Sequence, residues 1–102
     1  ALQAYKQAAN SLDPSIKCHA LVSMADIYRK TRKYDKSLKT LLVVRYSYTE
    51  CRHTSEKALL KLAILFGRKG RKEDARQLLT ALTKSHDKKI RRLAKKALNR
   101  LH

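Results

Sequence analysis

The chain has 102 residues, of which 43% are hydrophobic and 32% charged, with only 2 Gly and 1 Pro. This length suits one domain with one hydrophobic core, and the hydrophobic share excludes disorder along the whole chain. So few chain breakers argue against an all-β fold, which needs many tight turns. The composition therefore predicts long helices joined by short loops.

The net charge of +17 is concentrated in the second half of the chain. Residues 1–51 contain 9 Lys and Arg and 4 Asp and Glu, whereas residues 52–102 contain 16 and 4. The two halves therefore carry +5 and +12. A positive field of this size attracts anions, so an acidic protein surface, nucleic acid and an anionic membrane are the candidate partners.

The cysteines bear on the compartment. Cys18 and Cys51 are too few, and too far apart in sequence, to suggest a disulfide-rich secreted scaffold. They predict reduced thiols in an intracellular, reducing compartment, either cytoplasm or nucleus, with an organelle left open. No apolar run reaches 18 residues and no signal-peptide pattern is present, so no membrane span is expected. The start at Ala1 inside a predicted helix indicates a fragment of a longer protein.

In the first half, apolar residues recur with helical spacing in three segments. The first helix is predicted over 1–12, because Pro14 cannot continue it, and Ser15 is expected to cap the next helix. A second helix over about 16–31 and a third over about 35–47 flank a tight turn at Thr31 to Lys33.

In the second half, the period breaks at 47–54, which predicts a loop. Thr54 or Ser55 is expected to cap a helix that runs through Phe66, with Glu56 at the positive end of its macrodipole. Gly67 and Gly70 bracket the next turn. Helices over 72–83 and 88–101 complete an all-α chain of about six helices, the last of which is strongly amphipathic.

Residues 21–44 align with residues 59–82 at a shift of 38. Large apolar, small and aromatic positions recur, except that Arg32 stands opposite Gly70. The other matched pairs are Leu21 and Leu59, Met24 and Leu62, Ala25 and Ala63, Tyr28 and Phe66, Ser37 and Ala75, Leu41 and Leu79, and Val44 and Leu82. Two helices per unit at this period predict antiparallel helix-turn-helix repeats stacked in an α-solenoid.

The pattern Met24-Ala25-x-x-Tyr28 with Tyr34-Asp35-x-Ser37, and its counterpart from Leu62 to Ala75, resembles the tetratricopeptide (TPR) repeat. The resemblance implies a single TPR-like domain over 1–102. It divides the domain into the second helix of a partial repeat, two repeats and a capping helix, at residues 1–14, 16–50, 54–87 and 88–102. Arg32 departs from the turn glycine, and a left-handed conformation there would cost roughly 1 kcal/mol.

The same resemblance implies that the first helix of each pair lines a concave partner-binding surface. By position, this surface would include His19, Val22, Asp26, Arg29, Lys30, Lys57, Lys61, Ile64 and Arg68. Cations at positions 57, 61 and 68 share one helical face and could pair with carboxylates; the alternative is a solvated face. Ser23 and Lys61 stand where the carboxylate-clamp subclass has asparagine, so a chaperone's acidic tail is not the expected ligand.

Basic runs near the C-terminus predict a second possible surface, for a nucleic-acid backbone. Its candidate phosphate-binding residues are Lys69, Arg71, Lys72, Lys88, Lys89, Arg91, Arg92, Lys95, Lys96 and Arg100. Aromatic residues are missing from these runs, so base stacking is not expected. The alternatives are solvated charge, a nuclear-localisation address or, less favoured, a membrane surface.

No cofactor, metal or catalytic group is predicted. Cys18-His19 and Cys51-x-His53 do not have the spacing of a structural zinc site, and no nucleophile motif or phosphate loop accompanies them. The preferred interpretation is a non-catalytic scaffold or adaptor that binds an acidic segment or sits in a larger assembly. The alternative is a ribonucleoprotein component that binds phosphates through its basic half.

Overall fold

The computed structural model describes residues 1–101, and this part of the chain is helical with no strand. Six α-helices and one short 3-10 helix occur. The α-helices are α1 (Leu2–Ala8), α2 (Pro14–Lys30), α3 (Tyr34–Ser47), α4 (Arg52–Arg68), α5 (Lys72–Leu82) and α6 (Lys88–Asn99), and the 3-10 helix is Thr49–Cys51. The all-α prediction is confirmed. None of the described helices is both long enough and apolar enough to cross a membrane.

The chain forms two compact units. The first, Ala1–Ala58, contains α1, α2, α3, the 3-10 helix and the first turns of α4. In it α2 packs against both α1 and α3, and the 3-10 helix packs against α2 and α3. The second unit begins at Leu59 and contains the rest of α4 with α5 and α6, which pack against each other.

The start of α2 differs from the prediction. Asp13, not Ser15, is the N-cap, and its Oδ1 accepts a hydrogen bond from the backbone N–H of Ser15 at 2.9 Å. Pro14 occupies the first helical position, where its missing N–H costs nothing. Helix α1 ends at Ala8, short of the predicted residue 12, and the Ser11 hydroxyl accepts from the Asp13 N–H in the turn that follows.

Both helix-pair turns place a residue in the left-handed backbone region. Gly70 has φ 84° and Arg32 has φ 65°. Arg32 therefore adopts a conformation that costs a non-glycine residue roughly 1 kcal/mol, and the glycine at the equivalent position of the next repeat adopts it without strain. Gly67, which was expected to bracket the second turn, instead lies inside α4.

Small buried residues lie where paired helices approach each other. Ala25 on α2 and Ser37 on α3 are 0% and 1% exposed, and the Ser37 hydroxyl donates to the Ala25 carbonyl at 2.8 Å. Ala63 on α4 and Ala75 on α5 are the equivalent pair and are both fully buried. The repeat alignment therefore identifies small residues that are buried at equivalent positions of both units.

The prediction that Cys18 and Cys51 are separate thiols is wrong. They form a disulfide across 33 residues of sequence, with their Cα atoms 6.1 Å apart and both residues fully buried. The pair lies in a cluster with Val44, against which Tyr48 packs. Because the expectation of a reducing compartment rests on free thiols, it loses its basis.

The predicted loop at 47–54 is mostly helical. Only Tyr48 separates α3 from the 3-10 helix, and α4 begins at Arg52, ahead of the predicted caps. Ser55 lies inside α4, where its hydroxyl donates to the Arg52 carbonyl at 2.8 Å. Glu56 is 3% exposed and accepts from Arg45 Nε at 3.1 Å. Three buried residues, Cys51, Ser55 and Glu56, fix this segment to the first unit, although its sequence pattern is irregular.

Replacing Arg32 with Gly should raise the stability of the chain by about 0.5–1 kcal/mol, because the left-handed conformation carries no Cβ penalty in glycine. Thermal unfolding followed by circular dichroism would show a midpoint higher by several degrees. Lys33→Gly, in the same turn but at φ −94°, should give no gain in stability.

Gly70→Ala should lower the stability of the chain by about 1 kcal/mol through the backbone alone, since the added Cβ meets no atom within 4 Å.

Reduction of the disulfide should destabilise the first unit by about 3 kcal/mol, because the cross-link closes a long loop in the unfolded chain. Thermal unfolding with and without a phosphine reductant measures this. The Cys18→Ala/Cys51→Ala variant should unfold at a lower temperature and be insensitive to the reductant. Two titratable thiols in the native, unreduced protein would contradict the bond.

Candidate partner-binding surfaces

The predicted surface residues on α2 are largely engaged within the first unit. Arg29 Nη2 and Lys30 Nζ lie 2.6 Å and 3.1 Å from the two carboxylate oxygens of Asp26. Val22 is partly buried against the cluster that contains the disulfide. Four of the five α2 residues therefore already have partners in their own unit.

The ion pairs at Asp26 set its protonation. Burial by itself raises the pKa of the Asp26 carboxyl, but hydrogen bonds from Arg29 and Lys30 and their positive charges outweigh this effect. The pKa of Asp26 is therefore held below its ordinary value. At neutral pH this carboxylate neutralises part of the positive charge on α2.

His19, the fifth α2 residue, is exposed and lies in a shallow depression of about 320 Å³ between α1 and α2. The depression is lined by mostly small or apolar residues, namely Tyr5, Ala8, Ser15, Ile16, His19, Ala20 and Ser23. No acidic or strongly basic side chain contributes to it. This depression offers no charge that would select an acidic partner.

The predicted residues on α4 are exposed. Within the second unit, Lys61, Ile64 and Arg68 form the α4 surface, and Ile64 is 39% exposed. Residues three, four and seven apart lie on one side of a helix, so these three side chains face the same way. Neither cation is in an ion pair. Lys57, near the end of the first unit, is exposed as well.

Two of the ten predicted phosphate-binding residues are used inside the second unit. Arg71 Nε lies 2.8 Å from Asp74 Oδ2, and its guanidinium lies over the Phe66 ring at 4.2 Å. Arg91 donates to the Ser85 carbonyl at 2.8 Å. The other eight are exposed and make no ion pair: Lys69, Lys72, Lys88, Lys89, Arg92, Lys95, Lys96 and Arg100.

Aromatic residues are absent from the surface of the second unit as far as residue 101. Phe66 is its only aromatic residue and is fully buried. The most exposed aromatic side chain of the described chain is Tyr46, at 74%, and it belongs to the first unit. The basic surface of α6 can therefore contact phosphates but has no platform on which a base could stack.

A cavity of about 310 Å³ lies among α4, α5 and α6 in the second unit, here called the three-helix cavity. Six of its lining residues are apolar or glycine: Ala63, Ile64, Gly67, Leu79, Ala97 and Leu101. A Cβ at Gly67 would lie 3.0 Å from Leu101 Cδ2, so the glycine permits this close approach. The remaining lining residues are Arg68, Lys72 and Arg100, all exposed.

The sequence does not reveal this cavity. Ile64 and Arg68 belong to the predicted partner surface, whereas Lys72 and Arg100 belong to the predicted phosphate set. No periodic pattern connects residues on three different helices, because each period describes one helix face. Only the packing of α4, α5 and α6 brings them together.

The cysteine and histidine pairs do not come together as a site. Cys18 and Cys51 are bonded to each other, so neither sulfur is a thiolate ligand or nucleophile. Within residues 1–101, no three His, Cys, Asp or Glu side chains are grouped as metal binding would require.

Residues 57–89 match the family model described as Tetratricopeptide repeat. The matched segment includes most of α4, all of α5 and the first two residues of α6. It confirms the predicted resemblance to the TPR repeat over this segment. Repeats of this family typically serve as non-catalytic modules that bind other proteins. No curated protein and no solved structure matches the chain significantly.

Replacing Asp26 with Asn should destabilise the chain at pH 7 and have less effect in acid. Because the folded pKa of Asp26 is lowered, its carboxylate contributes stability above the unfolded pKa of about 3.9. That contribution is lost as the pH falls through the folded pKa. Urea unfolding from pH 7 to pH 2 should show the gap between the two proteins narrowing below about pH 4.

Glu50→Gln provides the control for this series, because Glu50 is exposed and is not in an ion pair. Its stability should follow that of the unchanged protein at every pH. A gap between Asp26→Asn and the unchanged protein that is equally large at pH 2 would show that the ion pairs are not its source.

Proposed function

We propose that this chain is a non-catalytic protein-interaction module that binds an acidic segment of a partner through the α4 surface. The observation that carries the proposal is the pair of exposed, unpaired cations Lys61 and Arg68 on either side of Ile64. Carboxylates can accept charge-assisted hydrogen bonds from both cations while an apolar group of the partner covers the isoleucine. Lys57 remains a predicted contact of the same kind.

The charges of α4 favour an acidic partner. Glu56 is the only acidic residue of this helix, and it is buried against Arg45. No carboxylate on α4 is therefore exposed to compete with a partner for Lys61 and Arg68. The α2 residues contribute less, because Asp26 already neutralises Arg29 and Lys30.

Catalysis does not form part of this proposal. The exposed groups of the α4 surface are two cations and an isoleucine, which supply neither a general base nor a nucleophile at neutral pH. Binding is the chemistry that such a surface supports. The family match is consistent with this assignment.

The disulfide bears on where such a module works. A buried cross-link between α2 and the 3-10 helix persists where the surroundings do not reduce it. We therefore place the working form of the protein in an oxidising compartment.

The test is binding of a fluorescent glutamate-rich peptide, followed by anisotropy. Lys61→Glu should weaken binding about tenfold, because it replaces an attraction with a repulsion within the α4 surface. Lys84→Glu makes the same change of charge at an exposed position outside that surface and should weaken binding no more than about twofold. Equal losses of affinity in the two variants would mean that peptide binding depends only on the net charge of the protein. That result would overturn the proposed site.

Nucleic-acid binding is the second candidate, and the surface of α6 favours it. Six exposed cations without ion pairs lie on or next to a helix that contains no acidic residue: Lys88, Lys89, Arg92, Lys95, Lys96 and Arg100. Such a surface can neutralise several phosphates without reading bases.

Duplex DNA titrated over a salt series tests this second candidate. If all six cations contact phosphates, a plot of the logarithm of the binding constant against the logarithm of salt concentration should have a slope of about −5. Changing Lys88, Lys89, Arg92, Lys95 and Lys96 to Gln should abolish binding near physiological salt. If these changes have no effect on DNA binding but Lys61→Glu still weakens binding of the acidic peptide, only the protein-binding function is supported.

A further inference from the structure

We propose that the three-helix cavity binds a small anionic amphiphile, with its aliphatic tail among the apolar lining residues and its carboxylate or phosphate head at the basic ones. This site shares Ile64 and Arg68 with the α4 surface, but it takes a different ligand and does not require that the α4 surface bind a protein. The inference rests on the size of the cavity, its lining and the charge around it.

The size and lining of the cavity are those of a small-molecule site. Its volume of about 310 Å³ lies at the lower end of the range of about 300–1,000 Å³ typical of ligand pockets. Ala63 and Leu79 are buried, and Ala97 and Leu101 are partly buried, so the inner wall is apolar. A short aliphatic chain can therefore leave water by entering between the three helices.

The charge around the cavity is entirely positive. Arg68, Lys72 and Arg100 come from α4, from the start of α5 and from the end of α6, and each is exposed. None of the three is in an ion pair. The planar guanidinium groups of the two arginines can each bind a carboxylate or phosphate through paired hydrogen bonds.

No acidic residue of the second unit is left to neutralise these cations. Residues 59–102 contain three acidic residues. Asp74 pairs with Arg71 and Glu73 with Arg76, at 2.8 Å in each case. Asp87 caps α6 by accepting from the N–H groups of Lys89 and Ile90. Among the described residues 59–101, no acidic side chain therefore pairs with the cations of the cavity, which leaves them available to an anionic ligand.

The negative ends of two helix dipoles account for only part of that balance. Arg68 lies at the end of α4 and Arg100 follows the end of α6, where each helix carries about half a negative charge. Two such ends offset about one of the three positive charges. The remaining excess of about two favours a carboxylate or a phosphate over a neutral or cationic head.

A free amphiphile and a lipid in a membrane could both supply this chemistry. The apolar volume is small and lies among three helices, so it suits one short chain rather than a two-chain lipid. The experiment therefore has a soluble arm and a vesicle arm. In both arms the complete chain is used with its disulfide intact.

The soluble arm uses calorimetry to titrate the protein with hexanoate, octanoate and decanoate, and with the corresponding alcohols. The methyl resonances of Ala63 and Ala97 are followed by NMR in parallel. Affinity of the carboxylates should rise by about fourfold per methylene until the cavity is filled. The alcohol of equal length should bind about tenfold more weakly, because it lacks the charge. Shifts at Ala63 and Ala97 place the ligand in the cavity.

Two variants and a control separate this site from general attraction to a basic protein. Ala97→Phe should abolish octanoate binding by filling the cavity. Lys72→Gln/Arg100→Gln changes only exposed residues, so it should leave folding intact. It should weaken the binding of octanoate about tenfold and leave the binding of octanol unchanged. Lys95→Gln/Lys96→Gln removes the same charge outside the cavity and should change octanoate binding by no more than about twofold.

In the vesicle arm, vesicles of phosphatidylcholine doped with lysophosphatidic acid, which has one acyl chain and a phosphate head, are tested with the same variants. Vesicle binding that is lost in Ala97→Phe and in Lys72→Gln/Arg100→Gln would identify a lipid as the source of the ligand. The proposal is overturned if the soluble series does not bind and vesicle binding is unchanged in these variants. It is also overturned if Lys95→Gln/Lys96→Gln weakens the binding of octanoate as much as Lys72→Gln/Arg100→Gln does. Lys61→Glu should not affect the binding of octanoate. Failure of the cavity proposal can therefore be distinguished from failure of the proposal that the α4 surface binds a protein.

Discussion

Close packing of paired helices at small buried residues is the constraint on which the rest of the structure depends. At Ala25 and Ser37 the side chains are small enough that a hydroxyl of one helix reaches a backbone carbonyl of the other at 2.8 Å. Ala63 and Ala75 occupy the equivalent positions and are fully buried. A larger side chain there would have to push the helices apart, and overpacking of this kind is destabilising. The faces that remain exposed are therefore determined by which residues these contacts bury.

Within the second unit, this packing separates structural charge from charge that remains for a ligand. Arg71, Arg76 and Arg91 hold turns and helix ends through Asp74, Glu73 and the Ser85 carbonyl. The acidic residues are used up in these contacts and in the cap of α6. The α4 surface, the three-helix cavity and the outer face of α6 therefore remain positive, and we propose that each binds an anion through a different geometry. A helix face suits an acidic peptide, an apolar cavity suits an amphiphile, and a row of cations suits phosphates.

The first unit is stabilised by a different set of contacts. Its disulfide connects α2 to the 3-10 helix, and Val44 and Tyr48 pack around it. The adjacent pair of Arg45 and Glu56 is largely buried, with side-chain exposures of 15% and 3%. Removing either partner of such a pair would leave a buried charge without compensation, so both residues act in structure rather than in binding. These contacts anchor the segment 48–56 to the core through its buried residues Cys51, Ser55 and Glu56, although its sequence resembles a loop.

Much of the fold followed from the sequence by itself, because helical periodicity and the 38-residue repeat are local or regular signals. They predicted the helix pairs, the recurrence of small residues at equivalent positions, the unusual residue Arg32 at a turn and the basic face of α6. They could not predict the disulfide, the buried Glu56 or the helical structure of 49–55, since these depend on contacts between residues distant in sequence. The same reason applies to function: helical spacing placed Lys57, Lys61 and Arg68 on one helix face, and the resemblance to the TPR repeat added Ile64. Only tertiary packing placed Arg68, Lys72 and Arg100 around one apolar cavity, because they belong to three helices whose separate periods carry no information about one another.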